Sequence, residues 1–64
     1  MKRYQVTVKI ESNEGDEFTY VCLRSFHDNI TQREVAYWVD GIEYGTAIVH
    51  DGAVLGSELV CLSD

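Results

Sequence analysis

The sequence predicts a mainly β protein: a small antiparallel sheet of about five strands, curled or partly closed, with a short helical or loop connection near residues 25–33. Three observations predict this class. Residues 3–11 alternate apolar and polar side chains, residues 17–23 are rich in β-forming side chains, and two Asp-Gly pairs sit in a weak internal repeat. With 64 residues, the chain is expected to form a single domain, 1–64, with a thin core.

The first two strands are expected to form a hairpin. The alternation over residues 4–10 is typical of a strand with one buried face. Residues 12–16, Ser-Asn-Glu-Gly-Asp, have the composition of a turn. The second strand then follows at 17–23, and pairing it with the first is the simplest arrangement.

The middle of the chain supports two interpretations. Residues 31–34, Thr-Gln-Arg-Glu, fit a helix capping box, and a helix at 31–39 ending at Gly41 gives an α+β alternative of the order ββαββ. The same stretch also alternates as a strand, and Asp40-Gly41 is a favoured two-residue hairpin turn.

The weak internal repeat favours the strand interpretation. Residues 36–45 and 47–56 share the form A-x-x-x-D-G-x-x-x-G. If each Asp-Gly is a two-residue turn, both hairpins place the same small Ala–Gly pair at the same position. The repeat therefore predicts a meander of three strands at 34–39, 42–50 and 53–62.

This meander has an apolar face and a mixed face. Trp38 is expected opposite Glu43 on the mixed face, near Glu34 and Glu58, and a tryptophan within a polar rim is typical of an interface anchor. The alternative is that residues 24–33 fold over this face and bury Trp38 in a second core. The expected core face consists of Val35, Tyr37, Val39, Ile42, Tyr44, Thr46, Ile48, Ala53, Leu55, Leu59 and Cys61.

The charge distribution indicates the kind of partner. The chain has 11 Asp and Glu against 5 Lys and Arg, a net charge of −6, and no Lys or Arg follows Arg33. Contacts to phosphates need clustered cations, so direct binding of DNA or RNA is disfavoured and a basic protein surface is favoured. The residues expected to contact this partner are Glu11, Glu14, Asp16, Glu17, Glu34, Trp38, Glu43 and Glu58.

The sequence predicts neither catalysis nor a cofactor. His27-Asp28 and His50-Asp51 are adjacent in sequence, but adjacent strand residues point to opposite faces and make no acid–base pair. The potential zinc ligands lack the close ligand pairs of a zinc site; they are Cys22, His27, His50 and Cys61.

The expected location is the cytoplasm, without membrane contact. No apolar run approaches the length of a membrane span, and the alternating residues 4–10 do not form the apolar block of a signal peptide. Cys22 and Cys61 are then expected to be reduced thiols, and the protein to be a monomer or weak homodimer.

The small size, the carboxylates at 11–17 and 34–64 and the self-contained fold together resemble the small acidic inhibitors that phages encode against host nucleic-acid machinery, including anti-CRISPR proteins and restriction inhibitors. The resemblance lies in composition. It implies a stoichiometric inhibitor in the host cell cytoplasm, whose acidic surface blocks a basic nucleic-acid-binding site on a host defence complex. The alternative is a small structural or assembly module that oligomerises through a sheet edge or through the Trp38 face.

Overall fold

The computed structural model describes residues 1–63, which form three antiparallel strands and one helix. The elements are β1 (Lys2–Glu11), β2 (Glu17–Phe26), α1 (Gln32–His50) and β3 (Ala53–Ser63). The strand order of the open sheet is β2-β1-β3, so the first strand lies in the centre and both others pair with it. The β-rich class is confirmed, but the described chain has three strands and not five.

β1 and β2 form the hairpin that the sequence predicts. Their antiparallel register is uninterrupted and ends where Glu11 lies opposite Glu17. The chain reverses with the help of Gly15, whose φ of 90° is easily adopted only by glycine. β2 continues to Phe26, beyond its predicted end at residue 23, and Phe26 is buried in the core.

α1 replaces the two strands predicted at 34–39 and 42–50, so the predicted meander is wrong. The N-cap of the predicted capping box is present, because Thr31 Oγ1 accepts a hydrogen bond from the Glu34 N–H at 3.2 Å. The ββαββ alternative therefore places the helix in the correct segment of the chain. However, the helix is longer than 31–39 and one strand follows it instead of two.

A helix forms here because β1 presents an apolar row that needs a cover. Val6, Val8 and Ile10 point to one face of the sheet and have no exposed surface. We call this the helix-side face and its opposite the open face. The residues of α1 that pack on this row or next to it share the helical spacing i, i+3, i+4 and i+7; they are Val35, Trp38, Val39 and Ile42.

The two Asp-Gly pairs of the repeat have different conformations. Asp40-Gly41 lies inside α1. Asp51 ends the helix in the left-handed conformation, with φ and ψ both 48°, and the Gly52 N–H donates to the Ala47 carbonyl at 3.0 Å. The same sequence motif is therefore helix interior in one copy and helix terminus in the other, and it does not indicate two hairpins.

The predicted core face is wrong for the same reason. The helix turns Tyr37 and Tyr44 outward, where they are 81% and 72% exposed, and Val35 is the one predicted member that is buried among the described residues. The buried hydrophobic residues of the structure are instead Tyr4, Val6, Val8, Ile10, Phe26 and Val35.

β3 confirms the strand predicted at 53–62, but it pairs with β1 and not with the segment before it. Its register with β1 shifts twice, once next to Arg3 and once next to Lys9. Because β1 lies between the outer strands, Cys22 on β2 and Cys61 on β3 are too far apart for a disulfide without movement of the backbone.

Replacing single glycines by alanine distinguishes the helix from the meander. Gly41→Ala and Gly45→Ala should each raise the free energy of unfolding by about 0.5–1 kcal/mol, because both glycines lie inside α1 and a Cβ meets nothing within 4 Å. In a two-residue hairpin turn Gly41 would need a positive φ, and its substitution would destabilise the protein. Urea unfolding measures the difference.

Gly52→Ala is the matched comparison, for which the opposite change in stability is expected. A Cβ on Gly52 would collide with the carbonyl group of Glu11, so this substitution should lower the free energy of unfolding by about 1–3 kcal/mol. An unchanged urea midpoint for Gly52→Ala would contradict the close packing between the helix terminus and the end of β1.

Candidate functional site

The molecule is elongated, with extents of 41 × 17 × 14 Å, and a group of charged residues lies at each end. The turn between β1 and β2, the end of α1 and the start of β3 meet at one end, where Asn13 Nδ2 donates to Asp51 Oδ2 at 3.2 Å. We call the five carboxylates of this end the acidic tip; they are Glu11, Glu14, Asp16, Glu17 and Asp51.

The acidic tip is held in shape by its own backbone. The Ser12 hydroxyl accepts hydrogen bonds from the N–H groups of Glu14 (3.3 Å) and Asp16 (3.2 Å), and the Ser12 N–H donates to the Asp16 carbonyl at 2.7 Å. Glu14 and Asp16 take part in these bonds only through main-chain atoms, so their carboxylates stay in solvent. The tip therefore presents negative charge on a defined loop.

The carboxylates of the tip form no ion pair among residues 1–63, and the cation nearest to them along β1 is Lys9, two residues from Glu11 on the same face. Within residues 1–63, one ion pair is formed, and it joins the Met1 amino group to Asp28 at 2.9 Å, at the other end of the molecule. That hydrogen bond and the positive charge of the amino group lower the pKa of the Asp28 carboxyl below its ordinary value. Glu11 and Glu17 face each other across the hairpin, which adds like-charge repulsion.

A cleft lies at the end opposite the tip. α1 lies over β1 and β3, and its backbone makes no close approach to β2. The uncovered space between β2 and the first half of α1 is an open cavity of about 700 Å³. We call it the arginine cleft, defined by Arg24, Phe26, Arg33, Tyr37 and Trp38.

Trp38 is a core residue that also borders this cleft. It is half-buried, packs against both hydrophobic clusters and meets Phe26 edge to face, with ring centres 5.5 Å apart. The predicted position of Trp38 opposite Glu43 on a strand is wrong, because both residues lie on α1. The Trp38 side chain is held in place because it packs between α1 and the sheet.

The other predicted contact residues lie apart from the tip, and two of them, Glu34 and Trp38, line the arginine cleft. Glu34 is in the first turn of α1, where its carboxylate accepts a hydrogen bond from Thr31 Oγ1 at 3.3 Å. Glu43 is half-buried and accepts one from Ser57 Oγ at 3.1 Å. Glu58 lies on the open face. The structure thus brings together Glu11, Glu14, Asp16 and Glu17, and it separates these four from Glu34, Trp38, Glu43 and Glu58.

Sequence reasoning missed the fifth member of the tip and the cationic side of the cleft. Asp51 joins the tip only because α1 returns the chain to the β1–β2 turn. Arg24 and Arg33 come together only because a helix follows β2. The capping box at Thr31 is the one local signal that could have placed the helix and hence both sites.

The histidines and cysteines form no shared site. Among the residues the structure describes, no three His, Cys, Asp or Glu side chains come close enough to hold a metal ion. His50 ends α1 and stacks on Phe18 with ring centres 4.6 Å apart, and its Nε2 contacts the Tyr20 hydroxyl. His27 lies beyond β2 at the opposite end.

Comparison with protein-family models, with curated proteins and with solved structures gives no match. Within the described part of the chain, no helix is long and apolar enough to span a membrane. The function is therefore inferred from the residues and geometry of the molecule itself.

Trp38→Ala tests whether Trp38 supports the core. We expect a loss of about 3 kcal/mol in the free energy of unfolding, because the side chain packs on Phe26 and on the row of β1. The matched control is Tyr37→Ala, which removes an 81% exposed ring next to it and should change stability by less than about 0.5 kcal/mol. Equal effects of the two substitutions on thermal unfolding would show that Trp38 is a surface residue.

Proposed function

We propose that this protein is a stoichiometric protein-binding inhibitor in the cytoplasm of a host cell, and that it acts by binding and not by catalysis. Its acidic tip occupies a basic nucleic-acid-binding site on a host protein or complex. The observation that carries this proposal is that Glu11, Glu14, Asp16, Glu17 and Asp51 all lie at one end of the molecule without an ion-pair partner in residues 1–63.

The cross-strand pair of Glu11 and Glu17 supports a role for this charge. Like charges directly opposite each other on adjacent strands destabilise a sheet. A small domain has little stability to lose, so repulsion at this position is best explained by a use for the negative charge.

The tip fits a short patch of phosphates and not a length of duplex. Alternate residues of a strand lie about 6.5–7 Å apart, whereas duplex DNA carries one charge per roughly 1.7 Å of its axis. Five carboxylates on a narrow end can therefore occupy a few phosphate-binding positions in a basic groove. Because the charges are exposed, they act mainly by accelerating association, and salt weakens this effect.

Neutralising the tip should weaken binding and stabilise the fold at the same time. For the double variant Glu14→Gln/Glu17→Gln we expect the association rate constant at low salt to fall about three- to tenfold, because steering is reduced. The free energy of unfolding should rise by about 0.2–1 kcal/mol, because the repulsion between Glu11 and Glu17 is removed. Stopped-flow association and urea unfolding measure the two effects.

The partner for this measurement is recovered from host lysate on the immobilised protein, with elution by a salt gradient and competition by DNA or RNA. The control Asp40→Asn/Glu58→Gln changes the net charge equally at two exposed positions outside the tip, and it should leave most of the association rate intact. Equal losses in the two double variants would show that net charge and not the tip governs binding. A partner that nucleic acid does not displace would refute the inhibitor mechanism.

A second candidate function is that of an assembly module, which the strand edges and the open face of the sheet favour. In the described chain β2 and β3 are edge strands with no strand on their outer sides. The open face also carries exposed apolar side chains, with Val21 57%, Leu23 62% and Val60 38% exposed. Such edges and faces are templates for pairing with another copy.

Sedimentation equilibrium over a range of concentrations separates this candidate from the first. An assembly module should form oligomers that Leu23→Lys dissociates, because the lysine places a charge in the apolar patch of the open face. Val49→Lys adds the same charge to an exposed position on α1 and should leave the oligomers intact. A monomer at all concentrations would exclude assembly.

A further inference from the structure

We propose that the arginine cleft binds an extended acidic segment of a partner protein. The segment adds to the free edge of β2, inserts an aromatic or large aliphatic side chain next to Trp38, and places carboxylates at Arg24 and Arg33. This site lies at the end opposite the acidic tip and does not depend on the function proposed for the tip.

The apolar part of the cleft is already ordered. Phe26 is buried, contacts Tyr4 edge to face at 5.9 Å between ring centres, and contacts Trp38 in the same way at 5.5 Å. Tyr37 stands at the rim and is 81% exposed. A ligand side chain that enters the cleft therefore meets fixed aromatic surfaces, and little ordering of these residues is required.

The cleft is positive in a protein whose net charge is −6. Arg24 lies with its guanidinium carbon 4.8 Å from the centre of the Phe26 ring, which holds the group at the cleft. Arg24 and Arg33 form no ion pair within residues 1–63, although Glu34 lies in the same cleft. The Glu34 carboxylate is instead bonded to Thr31 at the start of the helix.

Two arginines that form no ion pair with the described part of the chain, beside an apolar surface, are complementary to carboxylates on either side of an apolar side chain. Arginine is well suited to bind carboxylates because its planar group donates several hydrogen bonds in a fixed geometry. The charge of the cleft therefore selects an acidic ligand, even though the rest of the molecule repels one.

The edge of β2 favours an extended peptide over a small molecule. The cleft is open along β2, so it cannot enclose a small ligand on most sides as typical ligand pockets do. β2 itself is ten residues long, its register with β1 is uninterrupted, and no strand lies on its outer side in the described chain. β3 is the poorer template, because its register shifts twice.

An added strand would bring side chains to the cleft in a fixed pattern. Arg24 and Phe26 are two residues apart on β2 and point to the helix-side face, because Arg24 lies opposite Tyr4. On the added strand, every second side chain would point to the same face. The proposal therefore specifies an acidic residue, an apolar residue and an acidic residue at alternate positions.

Two synthetic peptides of identical composition test this pattern. The first, acetyl-Thr-Val-Asp-Thr-Phe-Thr-Asp-Val-Thr-amide, places both aspartates on the same face as the phenylalanine. The second, acetyl-Thr-Val-Thr-Asp-Phe-Asp-Thr-Val-Thr-amide, places them on the opposite face. Trp38 is the only tryptophan of the chain, so its fluorescence reports binding at the cleft directly. We expect the first peptide to bind about tenfold more tightly, with amide NMR shifts along β2.

Matched variants test the role of the arginines. Arg24→Gln/Arg33→Gln should weaken binding of the first peptide about tenfold, whereas Arg3→Gln/Lys9→Gln, which removes the same charge outside the cleft, should change it less than about twofold. Circular dichroism first confirms that each variant is folded. The comparison of the two peptides on the unaltered protein needs no variant and stays decisive if one fails to fold.

Several results would overturn the proposal. These are equal affinities for the two peptides, no change in Trp38 fluorescence at millimolar peptide, or equal effects of the two double variants. Phenylacetate binding as tightly as the first peptide would assign the cleft to small anions. Dimerisation at high protein concentration that shields Trp38 would show that the cleft binds a second copy of the chain. The variant Glu14→Gln/Glu17→Gln should bind the first peptide unchanged, so failure here and failure of the acidic tip are distinguishable.

Discussion

Burial of the apolar row of β1 beneath α1 is the interaction on which the rest of the structure depends. Val6, Val8 and Ile10 are fully buried, and β1 is the strand with neighbours on both sides. Full burial of each such side chain is worth about 1.5–3 kcal/mol, which is a large share of the stability of a small domain. One helix provides this cover, so the direction and position of α1 decide which parts of the sheet remain available for binding.

Both candidate sites follow from the way this helix is placed. The helix is long enough to return the chain to the β1–β2 turn, where Asp51 joins the carboxylates of the hairpin. It is also too narrow to cover three strands, and because it lies over β1 and β3, the helix-side face of β2 stays open near Arg24. The acidic tip and the arginine cleft therefore lie at opposite ends of the molecule, and both result from the way α1 packs on the sheet.

The sequence allowed prediction of the elements whose signals are local. The alternation of β1, the turn at Gly15 and the capping box at Thr31 are all present in the structure. The strand prediction for the middle segment is wrong because Val35 and Val39 fit both the strand period and the helix period. Together with Tyr37 they occupy every second position, as in a strand, and they share one face with Trp38, as in a helix. The helix is favoured because it covers β1, and the contact between α1 and β1 joins residues that are far apart in the sequence.

The same distinction applies to the candidate sites. The predicted hairpin brings Glu11 and Glu17 together, whereas Asp51 and Arg33 join their sites only after the helix is placed. The central position of β1 has a further consequence for synthesis of the chain on the ribosome. β1 acquires β3 as its second partner only after β2 and α1 have been made, so one edge of β1 stays unpaired until β3 emerges. A nascent chain stalled before β3 would leave one edge of β1, the strand with the most buried side chains, open to other chains.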